Sequence, residues 1–319
     1  MRTLRAVAEL REALAAPRRA GAIIGLVPTM GAFHDGHLAL MHRARSECDT
    51  VVVSLFVNPS QFNDPGDLDA YPRDELRDAE LAAAAGVDYL FAPPADQVYP
   101  PDFATTVSVR GVTERLEGEF RGVAHFDGVT TVVTKLFNMV GADVAYFGQK
   151  DAQQAVVIRQ LVRDLNMPVR IEVCPTVREP DGLALSSRNA HLSPAERRRA
   201  PALHRALRAV ERAVRQGERD ATAARAAGLA SLANDGIEPD YLELVSPDTL
   251  APVRQLDGEV IAVVAAHVGA TRLIDNQPLS TSRAAPRDVA GAGSTENGRA
   301  VHASHDAEVQ DPQGVGHRL

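Results

Sequence analysis

Tryptophan is absent from this 319-residue chain, aromatic residues make up only 4% of it, and it holds just two cysteines and two lysines. Each shortage excludes something. Cys48 and Cys174 are too few for a disulfide framework and fit a reducing compartment. Long hydrophobic runs are missing as well: the longest apolar stretch, Glu259 to Val268, is far short of the ~20 residues a membrane span needs. Residues 1–21 alternate charge with short apolar patches and contain no unbroken apolar segment, so no secretory signal is read there. Positive charge is in deficit, with 34 basic against 42 acidic residues, a net charge of −8 and a pI near 5.7. That balance argues against nucleic-acid binding through overall charge. The expectation is a cytoplasmic protein whose partners are neither membranes nor nucleic acids.

What is present is an ordinary globular composition, 45% hydrophobic and 24% charged. The length suggests about two domains of roughly 150 residues each. From residue 20 to about 175, short β-branched runs alternate with amphipathic stretches. Residues 23–29, 50–59, 87–93, 143–148 and 169–177 read as strands, and 36–48, 130–140 and 152–165 as helices. Another helix is expected to begin near Pro72, with acidic Asp74 and Glu75 behind it. The alternation predicts an α/β fold, a doubly wound parallel sheet covered on both faces. From Ser193 the texture changes. Ser193, Pro194 and Glu196 spell a capping box, an Ala-rich helix covers 221–233, and 241–246, 259–268 and 271–276 read as strands. The expected organisation is a first domain over 1–176, a smaller α+β domain over 177–276, and a disordered tail over 277–319. That tail has no aromatic, Ile or Met side chain to bury. His302 and His305 within it read as a chance pair rather than a metal site.

In a parallel sheet, ligands bind beyond the carboxyl ends of the strands, where helix N-termini present free N–H groups. The first strand runs into PTMGAFHDGH, residues 28–37, in which Gly31 and Gly36 permit close backbone approach and His34 and His37 stand three apart. Near a helix N-terminus these histidines can reach a polyphosphate. An HxxH pair is also half a metal site, but the HExxH spacing and a further ligand are missing. A purely structural pair is the other reading, for which a Gly-flanked loop is poor shelter. The strand at 143–148 runs into GQKDAQQ, residues 148–154, with Lys150 in the turn as a mobile point charge. All the other basic residues except Lys135 are arginine, so a lysine here stands out even against a GC-rich coding bias. The turn DGLALSSRN, 181–189, offers two hydroxyls and Arg188, and NPSQF, 58–62, together with Gln154, places amides at the same sheet edge. Each signal alone is weak; four such segments at strand ends, in this order, are specific.

Together these segments resemble those of the pantothenate synthetase family, also called pantoate–β-alanine ligase, over about residues 3–276. PTMGAFHDGH is similar to its PTMG-x-[LF]-H-x-GH segment, a version of the HIGH motif of nucleotidyltransferases and class I aminoacyl-tRNA synthetases. FVNPSQF, YPR (71–73), LEGEFRGVAHFDGV, FGQKDAQQ, PTVREPDGLALSSRN, YLE and TRLIDN follow in family order. Leu185 stands where the family usually has Met, a volume-conserving change. The stretch LEGEFRGVAHF looks one residue longer than common versions, so no individual contact is carried onto Arg121.

The resemblance implies a Rossmann-like fold of the HxGH nucleotidyltransferase type and a ligase that joins pantoate to β-alanine with ATP as co-substrate. Pantoyl adenylate would be the intermediate, with pyrophosphate and AMP released. It implies His37 as the catalytic residue. It implies an ATP site of Met30, Gly31, Ala32, Phe33, His34, Asp35, Gly36, His37, Gly148, Gln149, Lys150, Asp151, Val177, Leu185, Ser186, Ser187 and Arg188. Gln61 and Gln154 would hold pantoate, and Gln61 also belongs to the β-alanine side. Mg2+ would travel with the ATP phosphates, with no protein ligand named, and the family implies a homodimer. The alternative is another HxGH-type adenylyltransferase acting on a different small acid or a phosphate acceptor, which would need a cationic pocket where this chain has Gln61 and Gln154. The non-enzymatic alternative is a nucleotide-binding module with a dead site.

Overall fold

The computed structural model describes residues 1–63 and 65–281. Its first part runs β1 (Arg2–Leu4), α1 (Val7–Arg19), β2 (Ile24–Thr29), α2 (Asp35–Glu47), β3 (Thr50–Leu55), α3 (Pro65–Ala70) and α4 (Glu75–Ala84). It continues with β4 (Tyr89–Phe91), α5 (Ala95–Val98), α6 (Glu117–Arg121), α7 (Val123–Val140), β5 (Val144–Gly148), α8 (Ala152–Asp164) and β6 (Arg170–Cys174). The six strands form one sheet in the order β1-β4-β3-β2-β5-β6, every neighbouring pair parallel. The strand order reverses between β2 and β5, and a crevice opens at such a switch point.

Alternate residues of the apolar strands feed opposite cores, which is why their sequences read as unbroken hydrophobic runs. Ile24, Leu26, Val52, Ala145 and Phe147 pack on one face with Leu10 and Leu14 of α1, Val133 of α7 and Ile158 of α8. Val27, Val51, Val53, Val144 and Tyr146 pack on the other with Met41 and Ala44 of α2 and Ala82 of α4.

The remaining elements are α9 (Pro194–Arg199), α10 (Ala202–Arg215), α11 (Ala221–Asn234), β7 (Pro239–Val245), β8 (Glu259–Val268) and β9 (Thr271–Ser280). The three strands make an antiparallel sheet, β7-β8-β9. Val260, Ala262, Val264 and Ala266 of β8 pack with Leu203 and Leu207 of α10 and Leu232 of α11. Ile261 and Val263, on the opposite face of β8, join the first core of the parallel sheet. Shared through β8, the cores bind Met1–Ser282 into one compact unit.

Several boundaries differ from the sequence reading. Residues 7–19 are a helix that the charge alternation concealed; Leu10 and Leu14, one turn apart, are fully buried and worth about 1.5–3 kcal/mol each. The second strand ends at Leu55 rather than 59, because Asn58 caps a tight turn over Pro59–Gln61. The helix expected at Pro72 starts at Glu75, where Asp74 accepts the Arg77 N–H at 3.1 Å. The capping box at Ser193 forms as read, but Pro201 separates α9 from α10. Strand β9 takes in Gln277–Ser280, the first residues of the expected tail. Leu279 opposite Val260 is buried, and Pro278 is tolerated because β9 is an edge strand. The expectation for 282–319 lies outside the described residues.

Candidate active site

A cleft of about 810 Å³ lies over the β2–β5 switch point, within the range that holds small ligands. It is walled by the segments that follow β2, β3, β5 and β6, with the side of β9 facing them.

The loop after β2 is tied down from α4. Asp78, 2% exposed, accepts the Ala32 N–H at 2.8 Å on Oδ2 and the Phe33 N–H at 2.7 Å on Oδ1. Two successive residues take left-handed backbone there, Gly31 at φ +90 and Ala32 at φ +54, and a Cβ on Gly31 would come within 2.9 Å of Asp78 Oδ2. The chain then enters α2 through a capping box made of two imidazoles. Nδ1 of His34 accepts the Gly36 N–H at 3.1 Å, and Nδ1 of His37 accepts the His34 N–H at 3.4 Å. A ring nitrogen that accepts from an N–H carries no proton, so in both rings the proton sits on Nε2. The ring centroids are 4.2 Å apart. Burial, then the Lys150 charge, lowers the pKa of His34; burial, then His34 itself, takes His37 down to about 3. Near pH 7 the pair is therefore neutral and offers two N–H donors beside a helix N-terminus, where an anion is favoured.

After β3, the buried Asn58 organises the next wall. Its Nδ2 donates to Gln61 Oε1 at 2.9 Å and to the Gly128 carbonyl at 3.1 Å, and its Oδ1 accepts from Ser60 Oγ at 2.8 Å and Tyr99 OH at 2.9 Å. Gln61 Nε2 reaches Met30 Sδ at 3.1 Å, so the two loops are stitched together. His125 of α7 closes the wall, its Nδ1 lying 2.7 Å from the Gln61 carbonyl oxygen.

After β5, Lys150 Nζ sits 3.3 Å from Asp151 Oδ1 with 18% of its side chain exposed. Asn276 of β9 holds that turn, donating from Nδ2 to the Gln149 and Lys150 carbonyls at 2.8 and 3.0 Å. After β6, the chain folds back on itself over 177–185, with Leu185 N–H on the Val177 carbonyl and an Arg178–Ala184 bridge. Arg178 forks onto the buried Asp275 of β9 at 2.6 and 2.9 Å, a bidentate pair that fixes the Ser186–Arg188 loop at the mouth of the cleft. Burial, then Arg121, lowers the pKa of Arg188.

Met30, His34, Gly36, His37, Gln61, Gly148, Lys150, Asp151, Gln154, Val177, Leu185, Ser186, Ser187 and Arg188 all line this cleft. The other expected residues do not. Gly31, Ala32 and Phe33 turn to Asp78, Asp35 is exposed in the first turn of α2, and Gln149 Nε2 is spent on Asn276 Oδ1 at 2.9 Å. Both neighbouring glutamines border the cleft, but the amide of Gln153 is spent on the 112–117 segment through three hydrogen bonds. Sequence reasoning placed Asn58 only within the NPSQF segment and singled out none of Asp78, Glu117, Arg178, Tyr241 and Arg272. Asp78, Arg178, Tyr241 and Arg272 each meet a decisive partner far off in the chain, and so does Glu117 beyond its local pair with Arg121, so nothing in the sequence marks the network they form.

A doubly wound α/β sheet with donors and cations gathered over its switch point defines the class: an α/β protein with a cleft suited to an anionic small molecule. Comparison with known proteins is narrower. The family model for pantoate–β-alanine ligase matches residues 2–278. The pantothenate synthetase of Cereibacter sphaeroides is 55% identical over 276 residues, covering 86% of this chain and 99% of the relative. That of Moorella thermoacetica is 51% identical over 283 residues, 88% of this chain and 100% of the relative. Among solved structures, the pantothenate synthetase of Thermus thermophilus superposes with a TM-score of 0.82 at 49% identity, covering 87% of this chain and 99% of that one. The pantoate–β-alanine ligase of Francisella tularensis, complexed with β,γ ATP and β-alanine, gives a TM-score of 0.71 at 33% identity over 87% of this chain and 97% of its own. The chain belongs to the pantoate–β-alanine ligase family.

Proposed function

We infer that this enzyme condenses pantoate with β-alanine, using ATP and passing through pantoyl adenylate. The observation that carries the reading is the joining, over one switch point, of an HxGH helix start, a lysine turn, a Ser-Ser-Arg loop and the amides Gln61 and Gln154. A carboxylate is a poor acylating agent, and adenylation gives it a leaving group. The pantoate carboxylate attacks the α-phosphorus of ATP, an O–P bond forms, and the bond to pyrophosphate breaks. Such a transfer is mostly positioning and charge stabilisation.

In this reading Lys150, Ser186, Ser187, Arg188 and His34 hold the phosphates, and His37 is the catalytic donor toward the departing pyrophosphate. Its Nε2–H is the donating group, since Nδ1 is occupied by the His34 N–H. Gln61 and Gln154 supply neutral donors for the hydroxy acid. The carboxylates around the cleft are already engaged: Glu117 with Arg121 and Arg272, Asp275 with Arg178, and Asp151 with Lys150. Among the described residues no three His, Cys, Asp or Glu side chains gather as a metal site. This donor set fits a Mg2+ carried on the ATP phosphates, where it would neutralise charge, rather than one caged by protein.

We read residues 1–176 as the ATP- and pantoate-binding domain, 177–276 as the smaller domain carrying the Ser-Ser-Arg loop, and the enzyme as a cytoplasmic homodimer; the family resemblance supports the dimer, and two buried free thiols fit a reducing compartment. The test of the activity is exchange of labelled pyrophosphate into ATP. Exchange should require pantoate and proceed without β-alanine. Exchange that appears only when β-alanine is added would refute the free-standing adenylate step.

A further inference from the structure

Four histidines line the cleft. His191 is exposed at the end of the Ser-Ser-Arg loop, and hydrogen bonding sorts the other three into two kinds. His34 and His37 accept at Nδ1 from backbone N–H groups and so carry their protons on Nε2. His125 faces a carbonyl instead, with Nδ1 2.7 Å from the Gln61 oxygen. A carbonyl oxygen only accepts, so Nδ1 of His125 must hold the proton. Its Nε2 then bears a lone pair, with no hydrogen-bond partner among the described residues. Two of the imidazoles offer donors to an anion, and the third offers a base.

The second half-reaction needs a base. β-Alanine enters as an ammonium, which has no lone pair with which to attack an acyl carbon. We propose that His125 is a catalytic residue of amide formation, its Nε2 taking a proton from the β-alanine ammonium. This rests on the reading of the chain as a pantoate–β-alanine ligase. The freed amine attacks the carbonyl carbon of pantoyl adenylate and a C–N bond forms. The bond between that carbon and the bridging oxygen breaks, its electron pair leaving with AMP. The nitrogen's surplus proton passes to the departing AMP phosphate or to water, and His125 returns its own proton to solvent.

Location and environment agree with the role. His125 stands at the start of α7 and is bonded to the backbone of Gln61, the residue assigned to both acid substrates. The charged groups that face it are Arg121 and Glu117 of α6 and Arg188 of the Ser-Ser-Arg loop. Burial is the largest influence, and it holds the imidazole below its ordinary pKa and so neutral near pH 7, against the opposing bond to Gln61. The hydroxyls and amides around Gln61 offer no comparable base. Asp151 is tied to Lys150, and Glu117 is saturated by Arg121, Arg272 and Tyr241.

The test separates the half-reactions in His125→Asn. The Asn amide nitrogen takes the place of Nδ1 and keeps the donation to Gln61, while the base is lost. Release of pantothenate from preformed adenylate should fall by roughly 10²–10⁴-fold, the range for a lost general base, and by at least ~100-fold more than pyrophosphate exchange does. Hydroxylamine, already neutral at pH 7, should trap the adenylate in variant and wild type at rates within threefold of each other. Added imidazole should restore part of the β-alanine reaction. If exchange and amide formation fall together, or if hydroxylamine trapping falls as far as the β-alanine reaction, His125 only positions Gln61 and the proposal fails. An unchanged β-alanine rate also overturns it. Wild-type protein that shows no pantoate-dependent exchange would overturn the ligase reading itself, a separate outcome.

Discussion

One proton's position on each ring separates the histidines of this cleft, and the shape of one cation separates its lysine from the arginines elsewhere. Lys150 sits in the tight turn Gln149–Asp151, where Asn276 holds both neighbouring carbonyls and leaves the backbone little room to shift. Only 18% of its side chain is exposed, and it pairs with Asp151 at 3.3 Å. A compact ammonium can follow phosphate oxygens as charge moves onto a leaving group; a planar guanidinium needs a different set of acceptors and more volume. Lys150→Arg should therefore lower turnover at least ~10-fold, about 1.4 kcal/mol of transition-state stabilisation. Lys135 is the internal control. Its Nζ lies 4.3 Å from the centre of the Phe103 ring, a contact arginine also makes well, so Lys135→Arg should change turnover less than twofold. Near-wild-type turnover in Lys150→Arg would show that charge alone matters there. Lys150 was legible in the sequence because it broke a compositional habit at a strand end. Asp78 was not: a carboxylate on a helix is ordinary until a loop 45 residues earlier turns its N–H groups toward it.

At the level of elements, the sheet was legible and the packing of its connections was not. Strands β2, β3 and β5 are buried on both faces, so their runs of Val, Ile and Leu stand out from any neighbour. By contrast α1 hides its two-leucine stripe among arginines and glutamates, and α6 is five residues long with a buried glutamate at its start. Its position depends on Gly118, where a Cβ would lie 1.9 Å from the Thr113 carbonyl oxygen. The helix α7 meets the 59–61 turn in a similar way at Gly128, where a Cβ would fall 2.5 Å from the Ser60 carbonyl oxygen and 2.7 Å from the Gln61 nitrogen. Two effects oppose each other in Gly128→Ala. Helix propensity favours alanine by about 0.8–1.0 kcal/mol. Overpacking against rigid backbone costs about 1–3 kcal/mol, and the atoms struck cannot rotate away. The clash should win: the variant should melt lower than wild type and lose pantoate-dependent exchange, because Asn58 and Gln61 move with the turn. A higher melting temperature with full exchange would mean that α7 slides aside freely.

For the whole molecule, the most consequential junction is ionic and joins α6 to the antiparallel sheet. Glu117, 5% exposed, receives Arg121 Nε at 2.8 Å and Tyr241 OH at 2.9 Å, while Arg272 pairs with both its oxygens at 2.8 and 2.9 Å. Arg272 reaches on to Asp240 at 2.7 Å and lies over the Phe120 ring at 4.4 Å. Burial alone would raise the Glu117 pKa; the bonds from Arg272 and Arg121 outweigh it and bring it down from 4.5 to about 2. A carboxyl that binds its proton less readily when folded stabilises the fold above its unfolded pKa. That contribution is lost as pH falls from about 4.5 through about 2, and it is on the order of 3 kcal/mol. Urea unfolding of the wild type at steps from pH 6 to pH 2 should show this loss. In Glu117→Gln the slope over the same interval should flatten by about one proton. The variant should also be weaker at pH 7 by about 3 kcal/mol, because the half-buried Arg121 loses its counter-charge and Arg272 keeps only Asp240. Parallel slopes in the two proteins would mean that other carboxylates govern acid unfolding and that this network holds the cleft wall without setting the protein's stability.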